Sequence, residues 1–235
     1  VDTSYVNNYN VYALALPEDL IFANERVPVE SPDIKERIDR EFLVNTYWQS
    51  NGFLMFKRAN KYFPIIEKIL AEENVPDDFK YLAVIESGLT NAVSPAGAKG
   101  FWQIMKTTGR EYSLEINNNV DERYHLEKST RVACRYLKDA KERLGSWTLA
   151  AAAYNGGMSG ISRRLDKQQV TEYYDLLLGS ETSRYVPRIV AMKYILKQPH
   201  RFGFNFKESD LYTTIPTKTI KIDTAITNIA QFSKD

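Results

Sequence analysis

Residues 81–105 read YLAVIESGLTNAVSPAGAKGFWQIM. A glutamate, Glu86, closes the apolar run Leu82-Ala83-Val84-Ile85, and Gly88 follows two residues later. Pro76, Asp77 and Asp78 suit a helix N-terminus, and Gly88 suits its C-cap. Phe79, Leu82, Ala83 and Glu86 recur at i, i+3, i+4, i+7, while Tyr81, Val84 and Ile85 cover the other side. A helix apolar nearly all round is buried. A carboxylate in its last turn faces two penalties, because loss of water and the negative end of the helix dipole both disfavour the charge. The pattern therefore predicts a half-dry glutamate whose proton is released late, the property that a general acid requires. Two structural alternatives stay open: a side chain reaching out to solvent, or an ion pair with an arginine such as Arg110.

The rest of the chain supplies a frame of helices. A helical pattern starts at Ser31-Pro32-Asp33 and runs to about Trp48. A second is expected from Pro64, with Ile65, Ile66, Ile69 and Leu70 as its stripe. A shorter helix and an asparagine-rich loop, Asn117 to Asn119, lie between Met105 and Glu127. Further helices are expected over 127–144, over 147–154 behind the cap Ser146, over 171–178 and over 181–197. Residues 1 to about 31 read as an extended lead. After Arg201 the threonine- and isoleucine-rich YTTIPTKTIKI reads as extended or strand-like, and DTAITNIAQFSKD opens a capped amphipathic helix.

Composition narrows the function. The chain has 235 residues, 43% of them apolar, with 31 basic and 30 acidic side chains. That balance argues against a nucleic-acid binder, which carries a basic excess or stripe. One cysteine, Cys134, excludes an intrachain disulfide, and two distant histidines give little support to a metal site or a histidine triad. No run of 18 apolar residues suggests a membrane span. No cofactor is expected.

Two further stretches match the first in chemistry. SPAGAKG, residues 94–100, carries small residues that let backbone approach a ligand, and FWQIM then adds aromatic rings, an amide and a thioether. AAAAYNGG, residues 150–157, repeats the recipe with Tyr154 and Asn155 at a helix end. An amide or hydroxyl beside an aromatic ring suits a sugar with an acetamido group.

Together these blocks resemble the signature of lytic transglycosylase family 1, the soluble-lytic-transglycosylase-like enzymes of glycoside hydrolase family 23. ESGLTNAVSPAGAKGFWQIM resembles its first block, AYNGG its second and ETSRYVPRI its third. The preceding LPEDLIFANERVPVESPDIKERIDREF resembles a membrane-bound branch of that family. The resemblance implies an all-α, lysozyme-like domain over 61–200, an N-terminal extension and helix packed on it over 1–60, and a C-terminal extension over 201–235 cut before LysM-type modules. It implies Glu86 as the catalytic acid and base, with Ser94, Gln103, Met105, Tyr154, Asn155 and Tyr185 in the substrate groove. Glu181 is implied to order the site. Phe101 and Trp102 stand where aliphatic residues are common, and Gly157 follows Gly156 where alanine then glycine is common; both departures are expected to tune sugar fit. The implied partner is the peptidoglycan glycan strand in a bacterial cell envelope, periplasmic or at the outer membrane, with anchoring through a removed N-terminal segment. A hydrolytic goose-type lysozyme and a non-catalytic glycan-binding domain are the rival readings.

Overall fold

The computed structural model describes residues 11–218 and 220–234, except the side chains of residues 49 and 50. The first ten residues of the expected lead lie outside the described set. Two short strands, β1 (Ile21–Phe22) and β2 (Glu25–Arg26), pair antiparallel around Ala23 and Asn24, both at positive φ. All other regular elements among the described residues are helical. Besides short 3-10 turns, they are α1 (Pro32–Tyr47), α2 (Gln49–Glu72), α3 (Lys80–Ser87), α4 (Lys106–Glu111), α5 (Leu126–Leu144), α6 (Trp147–Gly156), α7 (Met158–Gln168), α8 (Ser180–Lys197) and a single turn, α9 (Ile229–Phe232). The fold is all-α, as the sequence implied.

The core follows from the stripes. α6 is the central helix: Leu149 to Ala153 are all buried, and α5, α7 and α8 pack around it. Four consecutive alanines let these neighbours approach closely, since little side chain intervenes. α1 lies along α8 and buries Ile34, Ile38 and Phe42. Phe42 stacks on Phe202 with ring centroids 5.4 Å apart. α3 sits between α2 and α8 with Tyr81 to Val84 buried, so the reading of that helix as an interior element holds.

Three helix expectations are corrected. α2 begins at Gln49, not at Pro64, and Pro64 lies inside it on the exposed side. The stripe Phe56, Ala59, Ile66, Ile69 and Leu70 is buried on both sides of the proline, and that continuous burial outweighs one missing backbone donor. Residues 171–178 form only a 3-10 turn, Tyr173–Asp175. The side-chain amide of Gln168 accepts from Leu177 N at 2.8 Å and donates to Leu177 O at 3.0 Å, so backbone groups that a helix would have paired are satisfied sideways. α7 was not expected at all: Ile161 is its one buried residue, too little apolar signal to read.

Pro187 is a second proline in a helix interior, here buried in α8. It lacks the N–H that would bond the carbonyl of Ser183. The hydroxyl of Tyr173 donates to that carbonyl, and to that of Thr182, at 2.9 Å each. The Thr/Ile-rich stretch after Leu211 forms no strand: the only sheet among the described residues is the N-terminal hairpin, and it offers this stretch no edge. The amphipathic helix expected after Asp223 is reduced to α9, capped by Asn228, whose side chain accepts from Gln231 N at 3.0 Å.

Candidate active site

Glu86 stands in the last turn of α3, two residues before the cap Gly88. Gly88 closes the helix in the left-handed conformation, with φ 58°, and its carbonyl accepts from Arg58 of α2 at 3.0 Å. The Glu86 carboxylate accepts a hydrogen bond from the hydroxyl of Tyr185 on α8. It makes no pair with Arg110, which donates instead to Ile116 O at 2.7 Å. Burial pushes the Glu86 carboxyl up to about 7. The Tyr185 hydrogen bond and the charge of Arg188 oppose the rise, and the charge of Glu181 adds to it. Desolvation thus wins over hydrogen bonding, and the group is substantially protonated near neutral pH.

Two phenols face this carboxyl. Burial, and then the neighbouring Glu86 charge, hold both Tyr185 and Tyr154 well above the ordinary tyrosine value, so both remain neutral donors. Tyr154, on α6, donates to the carbonyl of Trp102 at 2.7 Å and meets Tyr136 edge to face. Asn155 follows it. Its amide donates to Glu181 at 3.2 Å, and its carbonyl oxygen accepts from Thr182 at 2.8 Å. The asparagine is thereby a brace from the end of α6 to the start of α8. Glu181 and Tyr185, four residues apart, share a face of α8. Glu86, Tyr154, Asn155, Glu181 and Tyr185 are brought together in this way, from three helices far apart in sequence.

The loop 89–105 forms the adjoining wall. Ser94 is tied into its own turn: its hydroxyl accepts from Ala98 N at 3.0 Å, and its N–H donates to Ala98 O at 2.9 Å. The Gln103 amide donates to Ala92 O at 3.0 Å and to Gly100 O at 2.8 Å, with its backbone at φ 47°. Both residues therefore shape the loop with these groups. Gln103, Met105, Tyr136, Tyr154 and Asn155 line a cavity of about 230 Å³, with Met105 exposed at its rim.

Two readings of this loop are corrected. Gly100 approaches protein backbone rather than a ligand: at φ 81°, a Cβ there would lie 2.0 Å from Arg123 O. Trp102 is fully buried and donates to Thr130 at 2.8 Å, so its ring packs inside and only its carbonyl serves the site, through Tyr154. Phe101 is likewise buried, edge to face with Tyr62.

Sequence reasoning missed three supports. Ser87 donates to Phe101 O at 2.8 Å and ties the end of α3 to the returning loop. Buried Arg123 donates to Gly97 O at 3.0 Å and to Ile104 O at 3.2 Å. The Arg123 side chain in turn holds Asp121 down to about 2, so this pin stays charged into acid. The third is Glu41 of α1, buried against Arg40, Arg184 and Arg188. Ser87 was adjacent to the quoted glutamate and so within reach; a lone arginine after a loop and a glutamate inside a charged helix carry no local signal. Among the described residues, no three metal-ligating side chains gather.

Comparison with known proteins gives this geometry a lineage. Residues 63–177 match the transglycosylase SLT domain. Membrane-bound lytic murein transglycosylase D of Escherichia coli K12 is 33% identical over 159 residues, covering 65% of this chain and 35% of that protein. The namesake from E. coli O6:H1 (strain CFT073) matches to the same extent. A protein of Alteromonas sp. (strain M-1), named for tributyltin chloride resistance, is 28% identical over 126 residues, 53% of this chain and 58% of that one. The matched region spans about a third of the length of the two E. coli relatives. The match is thus to a transglycosylase SLT domain, carried by residues 63–177, just under half of the chain.

Proposed function

We propose that the chain cleaves the MurNAc-β-1,4-GlcNAc bond of peptidoglycan without water and leaves 1,6-anhydroMurNAc ends. The observation that carries this reading is the buried carboxyl of Glu86, pushed up to about 7 by desolvation and hydrogen-bonded by Tyr185, with its neighbour Tyr154 lining a cavity that also holds the Asn155 and Gln103 side chains. Glu86 donates its proton to the glycosidic oxygen. The bond breaks through an oxocarbenium-like state, and the MurNAc acetamido oxygen stabilises C1. Glu86, now ionised, takes the proton of the C6 hydroxyl, and that oxygen closes on C1. One carboxyl thus serves first as acid and then as base, where most glycosidases use two. Tyr185 and Tyr154 stay neutral through the cycle: Tyr185 stabilises the carboxylate as a donor, and Tyr154 holds the Trp102 carbonyl of the site wall. Ser94, Gln103, Met105 and Asn155 line the glycan path, and Glu181 keeps the proton on Glu86 through its own charge.

The SLT relationship, the relatives' names and the order of the three sequence blocks support the substrate. A cell-envelope location follows from that substrate. Further modules, a LysM array among them, and a membrane anchor belong to this proposal for the full-length protein. Among the described residues, no helix is long and apolar enough to cross a membrane.

The test is digestion of purified sacculi with mass analysis of the products. Anhydro ends weigh one water less than reducing ends; reducing ends alone would make the chain a hydrolytic lysozyme. Glu86→Gln is expected to reduce turnover by on the order of 10³-fold or more while glycan binding persists. Retained turnover in that variant would leave a glycan-binding domain. Because the reaction starts from the neutral acid, kcat/KM is expected to fall as pH rises through about 7.

A further inference from the structure

The carboxylate of Glu41 is 1% exposed, and three guanidinium groups surround it. Arg184 donates to it at 2.7 Å and Arg40 at 2.6 Å, while Arg188 Nε lies 3.5 Å away. Asn45 of its own helix donates to its backbone carbonyl at 2.7 Å. A buried ion cluster of this kind adds little net stability over an apolar filling, because the cost of desolvating the charges offsets their attraction. What it does supply is orientation. Arg184 and Arg188 flank Tyr185 on α8, and Tyr185 is the residue whose hydroxyl meets Glu86.

We propose that Glu41 is a positioning residue for the active site: from α1 it clamps Arg184 and Arg188, which fixes the setting of Tyr185 and partly neutralises the positive charge that Arg188 brings toward Glu86. Glu41, Arg184 and Arg188 all lie outside the matched 63–177 segment. The inference rests on Glu86 being the acid.

The charged and titratable groups around Glu86 define the expected sign. Tyr185, Glu181 and Arg188 come from α8 and Tyr154 from α6; on α2, Arg58 holds the nearby Gly88 carbonyl. Removing the Glu41 charge leaves Arg188 less compensated, which favours ionised Glu86. Removing Arg188 does the reverse.

The test measures initial rates of the 235-residue chain on soluble glycan strands across pH 5–9 for wild type, Glu41→Gln and Arg188→Gln. Glu41→Gln is expected to lower kcat roughly tenfold with KM little changed, as for a misplaced catalytic group. Its alkaline limb should move toward acid by about half a pH unit. Arg188→Gln should move the limb toward alkali by a similar amount, and this decides the matter if Glu41→Gln fails to fold. A limb at the wild-type position in both variants, or moved in the same direction, overturns the proposal. The underlying reading fails separately: wild type would then give no anhydro product, or Glu86→Gln would keep activity.

Discussion

Two regions flank the SLT segment, and they behave in opposite ways. The N-terminal hairpin, a short turn between Pro17 and Pro28, is built into the domain. Leu20, Phe22 and Val27 are buried, and Phe22 meets Phe79 edge to face at 5.2 Å. Asp78 accepts from Ala23 N and from Lys193, both at 2.7 Å, and Lys193 also donates to Ile21 O at 2.7 Å. Glu25 accepts from the N–H groups of Trp147 and Thr148 at 2.7 and 2.8 Å, so the first strand pair caps the helix that carries Tyr154. The C-terminal stretch is richer in isoleucine yet lies outside. Ile215 and Ile229 are 64% and 77% exposed, and the contacts near its start are polar ones to α2: Asn60 to Tyr212 O and Thr214 to Lys61 O, at 3.0 Å each, and Lys57 over the Tyr212 ring. Apolar content does not decide which flank is integral. Charges with buried partners do, because an unmet one costs more than an exposed isoleucine.

The contrast is most exposed to attack at Lys193. Lys193→Met leaves the Asp78 carboxylate buried without its cation and Ile21 O without its donor. A loss of about 3–5 kcal/mol is expected in urea unfolding; a loss under about 1 kcal/mol would mean the hairpin is not a clasp. Next comes the charge that the clasped helices hold out of water. The folded state keeps the Glu86 proton up to about 7, whereas the unfolded chain releases it near the ordinary 4.5. Folding is therefore favoured at low pH, and this contribution disappears as pH rises from 4.5 to 7. Glu86→Gln should stabilise the protein at pH 8 by up to about 3 kcal/mol and have little effect at pH 4. Equal melting shifts at both pH values would show that the carboxylate is not desolvated. Smaller again is Glu25→Ala. Loss of the α6 cap should cost about 1–2 kcal/mol and lower Tm by roughly 3–6 °C. An unchanged melt would make the hairpin's hold on α6 superficial.

Much of this is legible in the amino-acid sequence. The α3 stripe and Gly88 mark the helix and its end, and the position of Glu86 within it sets the direction of its acidity. Ser146 marks the start of α6 and Gly145 the stop of α5. What stays hidden is non-local. Gly100 looks like room for a ligand, and only the fold brings Arg123 O against it. Pro64 looks like a helix start because propensity speaks of a residue and not of the burial on either side of it. Glu41 looks like one more charge in PDIKERIDREF, and its burial depends on α8, some 140 residues on. The candidate catalytic block can be read because its chemistry is local; its supports cannot, because each is half of a pair.

The weakest effect is expected where the sequence looks most structured. Removing residues 215–235 takes away exposed isoleucines and the α9 turn, whereas the aromatic seal that precedes them remains. That seal sets Phe204 on Phe56 at 4.9 Å, and Phe206 on Phe56 at 5.0 Å. No described side chain from 215 onward is buried, so little apolar surface returns to water. Stability within about 0.5 kcal/mol of the parent is expected, with turnover on sacculi unchanged. The same cut made before Phe202 should behave differently, because it unstacks Phe42, the residue that follows Glu41 on α1. If the shorter cut also lowered Tm by several degrees, or slowed turnover, the exposed flank would have to be counted with the clasp, and the division between the two ends of the chain would fail.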